Sequence, residues 1–310
     1  MAAGSKKVII AALIGNGLIS ITKFIAASIT GSAAMMSEGI HSVVDTGNQI
    51  LLLYGLKRAK MPPSPAFPFG HGKEIYFWSF IVAILIFAVG AGISIYKGIS
   101  HIQHPTELHD PTINYIVLII AIIFEGGALF YAVKEFNKVR GPTGYIEAVK
   151  RGKDPTIFVV LFEDSAAMLG LFVALIGIFI AQMTHNPLWD GIASVIIGAI
   201  LGITAIWLAY ETKGLLIGEG ADPEIVDSIK SIANEHEGIE NINEVLTLHM
   251  GPEFLLVTMS IDFKDKLPIG TIEKTISSIT KDVKSKHPYV KKLFIEAEDS
   301  KEYKKDSNAL

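Results

Sequence analysis

The stretch Ser37–Gln49, SEGIHSVVDTGNQ, decides how the rest of the chain is read. It lies within an apolar segment, Ala33–Leu56, long enough to cross a bilayer. Glu38, His41, Asp45 and Asn48 follow one another at spacings of 3, 4 and 3, so on a helix they form one stripe. Ionisable groups inside a spanning segment cost about 2.5–3.5 kcal/mol each even on the mild insertion scale. A stripe of them therefore belongs to a protein interior or a water-filled path, not to lipid. An imidazole and a carboxylate one turn apart also suit two positions on one divalent metal ion.

The surroundings fit a membrane setting. Half of the 310 residues are hydrophobic and the mean hydropathy is +0.43, too apolar for a soluble protein of this size. The apolar residues cluster before residue 218, and from Glu219 on the composition is that of a soluble domain. A formal net charge of −4 gives nothing that favours nucleic acid as a partner. With no cysteine there is no disulfide and no thiolate site, so a bound metal takes nitrogen and oxygen ligands.

Six segments are long and apolar enough to span: about Lys7–Ala27, Ala33–Leu56, Ile75–Ile99, Thr112–Val133, Thr156–Gln182 and Leu188–Leu208. The first reads as a retained helix and not as a cleaved signal peptide, because it is long enough to span and five more runs follow. Lys57, Arg58, Lys60 and Lys73 sit between segments two and three. Lys134, Lys138, Arg140, Lys150, Arg151 and Lys153 sit between four and five. The other connections lack Lys and Arg, so the basic loops and both termini are expected on the cytoplasmic side.

The loop Met61–Gly72 is rich in Pro and Gly and reads as irregular. The connection His101–Asp110 holds His101, His104, Glu107, His109 and Asp110; it reads as a solvated turn or as a metal-collecting vestibule. After it, Pro223–Glu235 and Ile269–Lys286 read as helices, with Asp222 an N-cap before Pro223. Ile242–His249, Glu253–Phe263 and Val290–Ala297 read as strands. The fold expected is thus a membrane all-α bundle of six transmembrane helices over residues 1–218. A small α+β domain (α-β-β-α-β, ferredoxin-like) follows over 219–300, and residues 301–310 read as a disordered tail.

A second acidic site, Glu163-Asp164, lies within segment five. The two carboxylates point about 100° apart on a helix, so one can reach a metal while the other faces a neighbouring helix. If segments two and five pack together, His41, Asp45 and Asp164 supply three ligands, and Asn48, Glu38, Glu163 or water a fourth. Four N/O ligands suit Zn²⁺, and a larger oxygen-rich shell suits Mn²⁺ or Fe²⁺. The alternative is a buried hydrogen-bond network holding the bundle together.

Taken together, six spans, the His41-x-x-x-Asp45 pair, the acidic residue in segment five and the small soluble domain resemble the cation diffusion facilitators, a family of divalent-metal/proton antiporters. Phe69-Gly-His-Gly-Lys73 resembles the opening of that family's third span, and Asp190 with GIASVIIG the start of its sixth. The wording of HSVVDTGNQ and EDSAA is similar to the branch of the mitochondrial zinc transporter nine and its prokaryotic relatives. The resemblance implies transport ligands at His41, Asp45 and Asp164. The family's usual fourth ligand falls on Val160, which cannot bind metal, so Asn48 and Glu163 become the candidate replacements. His71 matches a loop histidine of the family, but its usual companion four residues earlier is Phe67.

The function implied is export of a divalent cation, zinc first and Mn²⁺, Fe²⁺, Co²⁺ or Cd²⁺ as alternatives, from the cytoplasm in exchange for protons. His41 suits that exchange, since an imidazole titrates at about pH 6.5. The metal is substrate, with no catalytic cofactor and no enzymatic activity. The resemblance further implies a homodimer joined through the soluble domain, embedded in lipid of a prokaryotic inner membrane or an organelle. A membrane metal sensor or scaffold using the same site is the alternative. No His-Glu-x-x-His motif supports a metallohydrolase.

Overall fold

A computed structural model describes the backbone of residues 3–106 and 110–307, and side chains from Asn16 on except those of residues 139, 306 and 307. Contacts divide the chain into two compact units, Met1–Lys57 with Ile75–Lys213, and Arg58–Glu74 with Gly214–Leu310.

The first unit is helical. α1 (Ala3–Thr30) and α2 (Ala33–Ala59) are joined by a two-residue turn in which Gly31 takes a left-handed φ of 74°. A continuous helix from Glu74 to Gln103 comprises α3 (Glu74–Leu85), a wide i→i+5 turn (Ile86–Ala91) and α4 (Gly92–Gln103). α5 (Thr112–Arg140), a short α6 (Tyr145–Arg151), α7 (Pro155–Thr184) and α8 (Leu188–Ile217) follow. α6 lies in the basic loop, where no helix was expected. Asp154 starts α7 by accepting from Thr156 N at 3.0 Å ahead of Pro155, the arrangement a first-turn proline favours.

Among the described helices, four are long and apolar enough to cross a membrane: Glu74–Gln103, Thr112–Lys138, Pro155–Thr184 and Leu188–Ile217. Six were expected. α2 has the length, but its polar stripe and terminal Lys57 and Arg58 dilute its apolar character, and the side chains of the first half of α1 lie outside the described residues. α5 turns Ile116, Ile120, Ile123 and Phe124 outward, a surface suited to lipid. α4 and α8 meet backbone to backbone: a Cβ at Gly98 would stand 2.7 Å from Val195 N and 2.8 Å from Gly191 O. Such small-residue contacts are how helices associate where lipid removes the hydrophobic drive.

Asp190 of α8 caps α2 from another element. It accepts from Ser32 Oγ at 2.6 Å and from the Ala33 and Ala34 amides, satisfying donors that the first turn of a helix cannot satisfy itself. His101 is not in a loop as expected: it occupies the last turn of α4, buried, with Nε2 3.8 Å from Asp190 Oδ2. Glu107 and His109, expected in the same vestibule, lie outside the described residues.

The second unit contains α9 (Pro223–Asn234), β1 (Ile239–Gly251), β2 (Phe254–Phe263), α10 (Ile269–Lys286) and β3 (Val290–Ala297). The sheet order is β1-β2-β3, antiparallel then parallel. Asp222 caps α9 through Glu224 N at 3.1 Å. Leu255, Val257, Met259 and Ile261, alternate residues of β2, pack under Ile229 and Ala233 of α9 and Ile279 and Val283 of α10, so both helices cover one sheet face. The irregular loop Arg58–Glu74 belongs to this unit. Gly72 approaches the Met250–Gly251 backbone so closely that a Cβ there would overlap the Met250 carbonyl. Residues Ser300–Ser307 form a helix, α11, where composition suggested a disordered tail. The reason is a local cap joined to tertiary contacts: Asp299 caps Lys301 N at 2.7 Å, and Ser300 is held by Asp262 Oδ2 and Asn243 Oδ1 of the sheet.

Candidate metal centre

The stripe on α2 and the acidic pair on α7 come together. Asn48 Nδ2 donates to Glu163 Oε1 at 2.5 Å. The Asp45 and Glu163 carboxyl groups lie side by side at the same point. His41 Nδ1 stands 3.2 Å from Asp45 Oδ1, one turn away, although not aligned as a hydrogen bond. His41 Nε2 is buried with no hydrogen-bond partner among the described residues, and so is Asn48 Oδ1.

A cavity of about 440 Å³ opens beside this cluster, lined by Asp45, Glu125, Glu163, Asp164, Ser42 and Val160 among others. Asp164 and Glu163 both reach it, and Asp164 is the more exposed of the two. Their angular separation lets Glu163 take the hydrogen bonds from α2 while Asp164 stays available to the cavity. Val160 contributes only an apolar wall. His41 does not line the cavity; it stands behind Asp45.

Two of the candidate ligands go elsewhere. Glu38 is fully buried and bound to Lys23 of α1 at 3.1 Å. His71 belongs to the second unit, its ring 4.4 Å from that of Phe67 and Nδ1 3.8 Å from Glu74 Oε1. In the second unit, Glu298 is held by Ser260 Oγ at 2.8 Å and His287 by Ser228 and Tyr289. Among the described residues, no group of three or more His, Asp or Glu side chains converges closely enough to hold a metal ion. The donors stand as a hydrogen-bonded pair, Asn48 and Glu163, a close pair, His41 and Asp45, and Asp164, so they need side-chain rotation to close on one ion.

Residues 9–217 match the family described as the cation efflux transmembrane domain. The chain belongs to the cation efflux family, the cation diffusion facilitators. Its members are transporters and not enzymes. The mitochondrial proton-coupled zinc antiporter SLC30A9 of Mus musculus is 33% identical over 267 residues, 85% of this chain and 47% of that protein. Metal tolerance protein C4 of Arabidopsis thaliana is 29% identical, covering 86% of this chain and 58% of its own length. The manganese efflux system protein MneP of Bacillus subtilis is 25% identical, covering 83% and 84%. The chain thus spans about half the length of the zinc antiporters it matches.

Sequence reasoning passed over Lys23. Its side chain is fully buried in α1 and bonds Glu38, Ser42 and Glu125. The signal was present: a lone lysine within an apolar run is as costly as the carboxylates that did draw notice.

Proposed function

We propose that this cation efflux protein exports a divalent metal ion, zinc foremost, from the cytoplasm in exchange for protons. The observation that carries this reading is the gathering of Asp45, Glu163 and Asp164 around one cavity. A carboxyl group that carries a proton there releases it when a divalent cation takes its oxygens, so loading the site and shedding a proton are one event. Asp45 and Asp164 then offset the ion's charge. His41 supplies the nitrogen donor through its buried, unpartnered Nε2, and Asn48 and Glu163 stand where a fourth ligand is wanted. Rocking of the bundle would pass the ion to the opposite side.

In this reading the helices α1 and α2 complete six spans, both termini face the cytoplasm, and the membrane domain over 1–218 is followed by a dimerising domain over 219–300. The names of relatives bearing zinc and manganese leave the choice of ion to measurement. Flux into proton-loaded vesicles tests the proposal. Zinc uptake that follows the proton gradient, reduced and less pH-dependent in His41→Ala, is expected. Metal binding without flux would replace the transporter by a sensor.

A further inference from the structure

Beside the cavity, α1, α2 and α5 meet at a buried cation. The Lys23 ammonium donates to Ser42 Oγ and Glu125 Oε1, both at 2.8 Å, and to Glu38 Oε2 at 3.1 Å. All three N–H donors of the ammonium are thereby engaged. Lys23 and Glu38 are fully buried, and Glu125 is 16% exposed where it lines the cavity. Each glutamate keeps a second oxygen, Glu38 Oε1 and Glu125 Oε2, without a hydrogen-bond partner among the described residues. Glu38 Oε1 rests against Gly170 of α7, where a Cβ would overlap it. The glutamates are therefore held by α1 on one side, and Glu38 is fenced by α7 on the other.

This arrangement bears on which ion the cavity selects. Besides Asp45, Glu163 and Asp164, Glu125 lines the cavity, and Glu38 lies one turn from His41. Left free, the two glutamates would enlarge an oxygen shell. We infer that Lys23 is a specificity-determining residue of the transport site: by tying Glu38 and Glu125 to α1 it keeps their oxygens out of the ion's coordination shell. The ion then meets few donors, one of them an imidazole, which suits zinc better than the six-oxygen shell manganese prefers. This inference rests on the transport reading and deepens it.

Calorimetry on the full-length protein in detergent, with Zn²⁺ and Mn²⁺ as probes, tests it. In Lys23→Met the preference for zinc over manganese should fall about tenfold or more, as oxygen ligands are added. Adding Glu38→Gln and Glu125→Gln to that variant should restore the preference, and Lys23→Arg should keep it. A Lys23→Met preference within about threefold of wild type overturns the inference, as does a triple variant that stays shifted. If Lys23→Met fails to fold, zinc-induced infrared difference spectra decide. Carboxylate bands that are the same in wild type and Glu125→Gln support the inference, and a zinc-shifted band lost in Glu125→Gln makes Glu125 a ligand and overturns it. Wild-type protein that binds neither ion removes the transport reading and the inference together, whereas wild-type binding with an unmoved preference removes the inference alone.

Discussion

Asn48 and Glu163 join α2 to α7 through a 2.5 Å hydrogen bond between two buried side chains. Neither residue is near the other in sequence, and neither is costless where it lies. The amide supplies the donor that makes a buried glutamate tolerable, and it sets the distance between the helices that carry the other candidate ligands.

Removing that donor should therefore cost both stability and binding. Asn48→Leu leaves Glu163 buried with one partner fewer, a loss of about 1–3 kcal/mol. Thermal unfolding in detergent reads the first effect and zinc calorimetry the second. A variant as stable as wild type would mean that the bond holds nothing.

Asp164 bears the opposite expectation. It sits at the cavity without the hydrogen bonds that occupy Glu163, so it is the carboxylate most available to an ion. Asp164→Asn should lower zinc affinity more than about a hundredfold, beyond what losing an outer partner costs, with little change in melting temperature. Wild-type affinity in this variant would remove Asp164 from the site.

Asp190 caps a helix that is not its own. Asp190→Ala strips acceptors from Ser32, Ala33 and Ala34 at once. The cost should reach about 1–2 kcal/mol, the upper range for a lost N-cap, and Asp190→Asn should lose less, since one oxygen remains. Melting curves of the two variants give the comparison, and equal stability would refute the capping role.

The second unit should weaken in mild acid. Burial, and secondarily the neighbouring Lys286, holds His287 below its usual pKa, while Ser228 and Tyr289 bond its two ring nitrogens. The unfolded chain thus takes up a proton before the folded one does. Stability is present above the ordinary value of about 6.5 and is lost as pH falls through the lower folded value. Melting of this unit in the full-length chain should shift downward between neutral and acidic pH, and His287→Gln should flatten the shift. An identical slope in the variant would assign the effect elsewhere.

Much of the chain was legible without coordinates because its signals are local. Helix α10 and strand β3 have the bounds their periodicity suggests, Ile269–Lys286 and Val290–Ala297. The cap at Asp222 and the stripe on α2 follow from spacing alone, since residues three or four apart on a helix share a face whatever surrounds it. Family membership was readable for the same reason: short motifs carry it.

Tertiary structure decided what those faces meet. Spacing makes Glu38 a member of the stripe, yet packing against α1 gives it to Lys23, while Asp45 goes to Glu163. Spacing puts Glu163 and Asp164 on different faces, and only the position of α2 assigns the first to Asn48 and the second to the cavity. The polar stripe on Ser37–Gln49 thus came from sequence, but its division into a half tethered to Lys23 and a half turned to α7 did not. A buried charge takes its role from whichever opposite charge or donor shares its low-dielectric surroundings, and for Lys23 and Glu125 that partner lies 102 residues away.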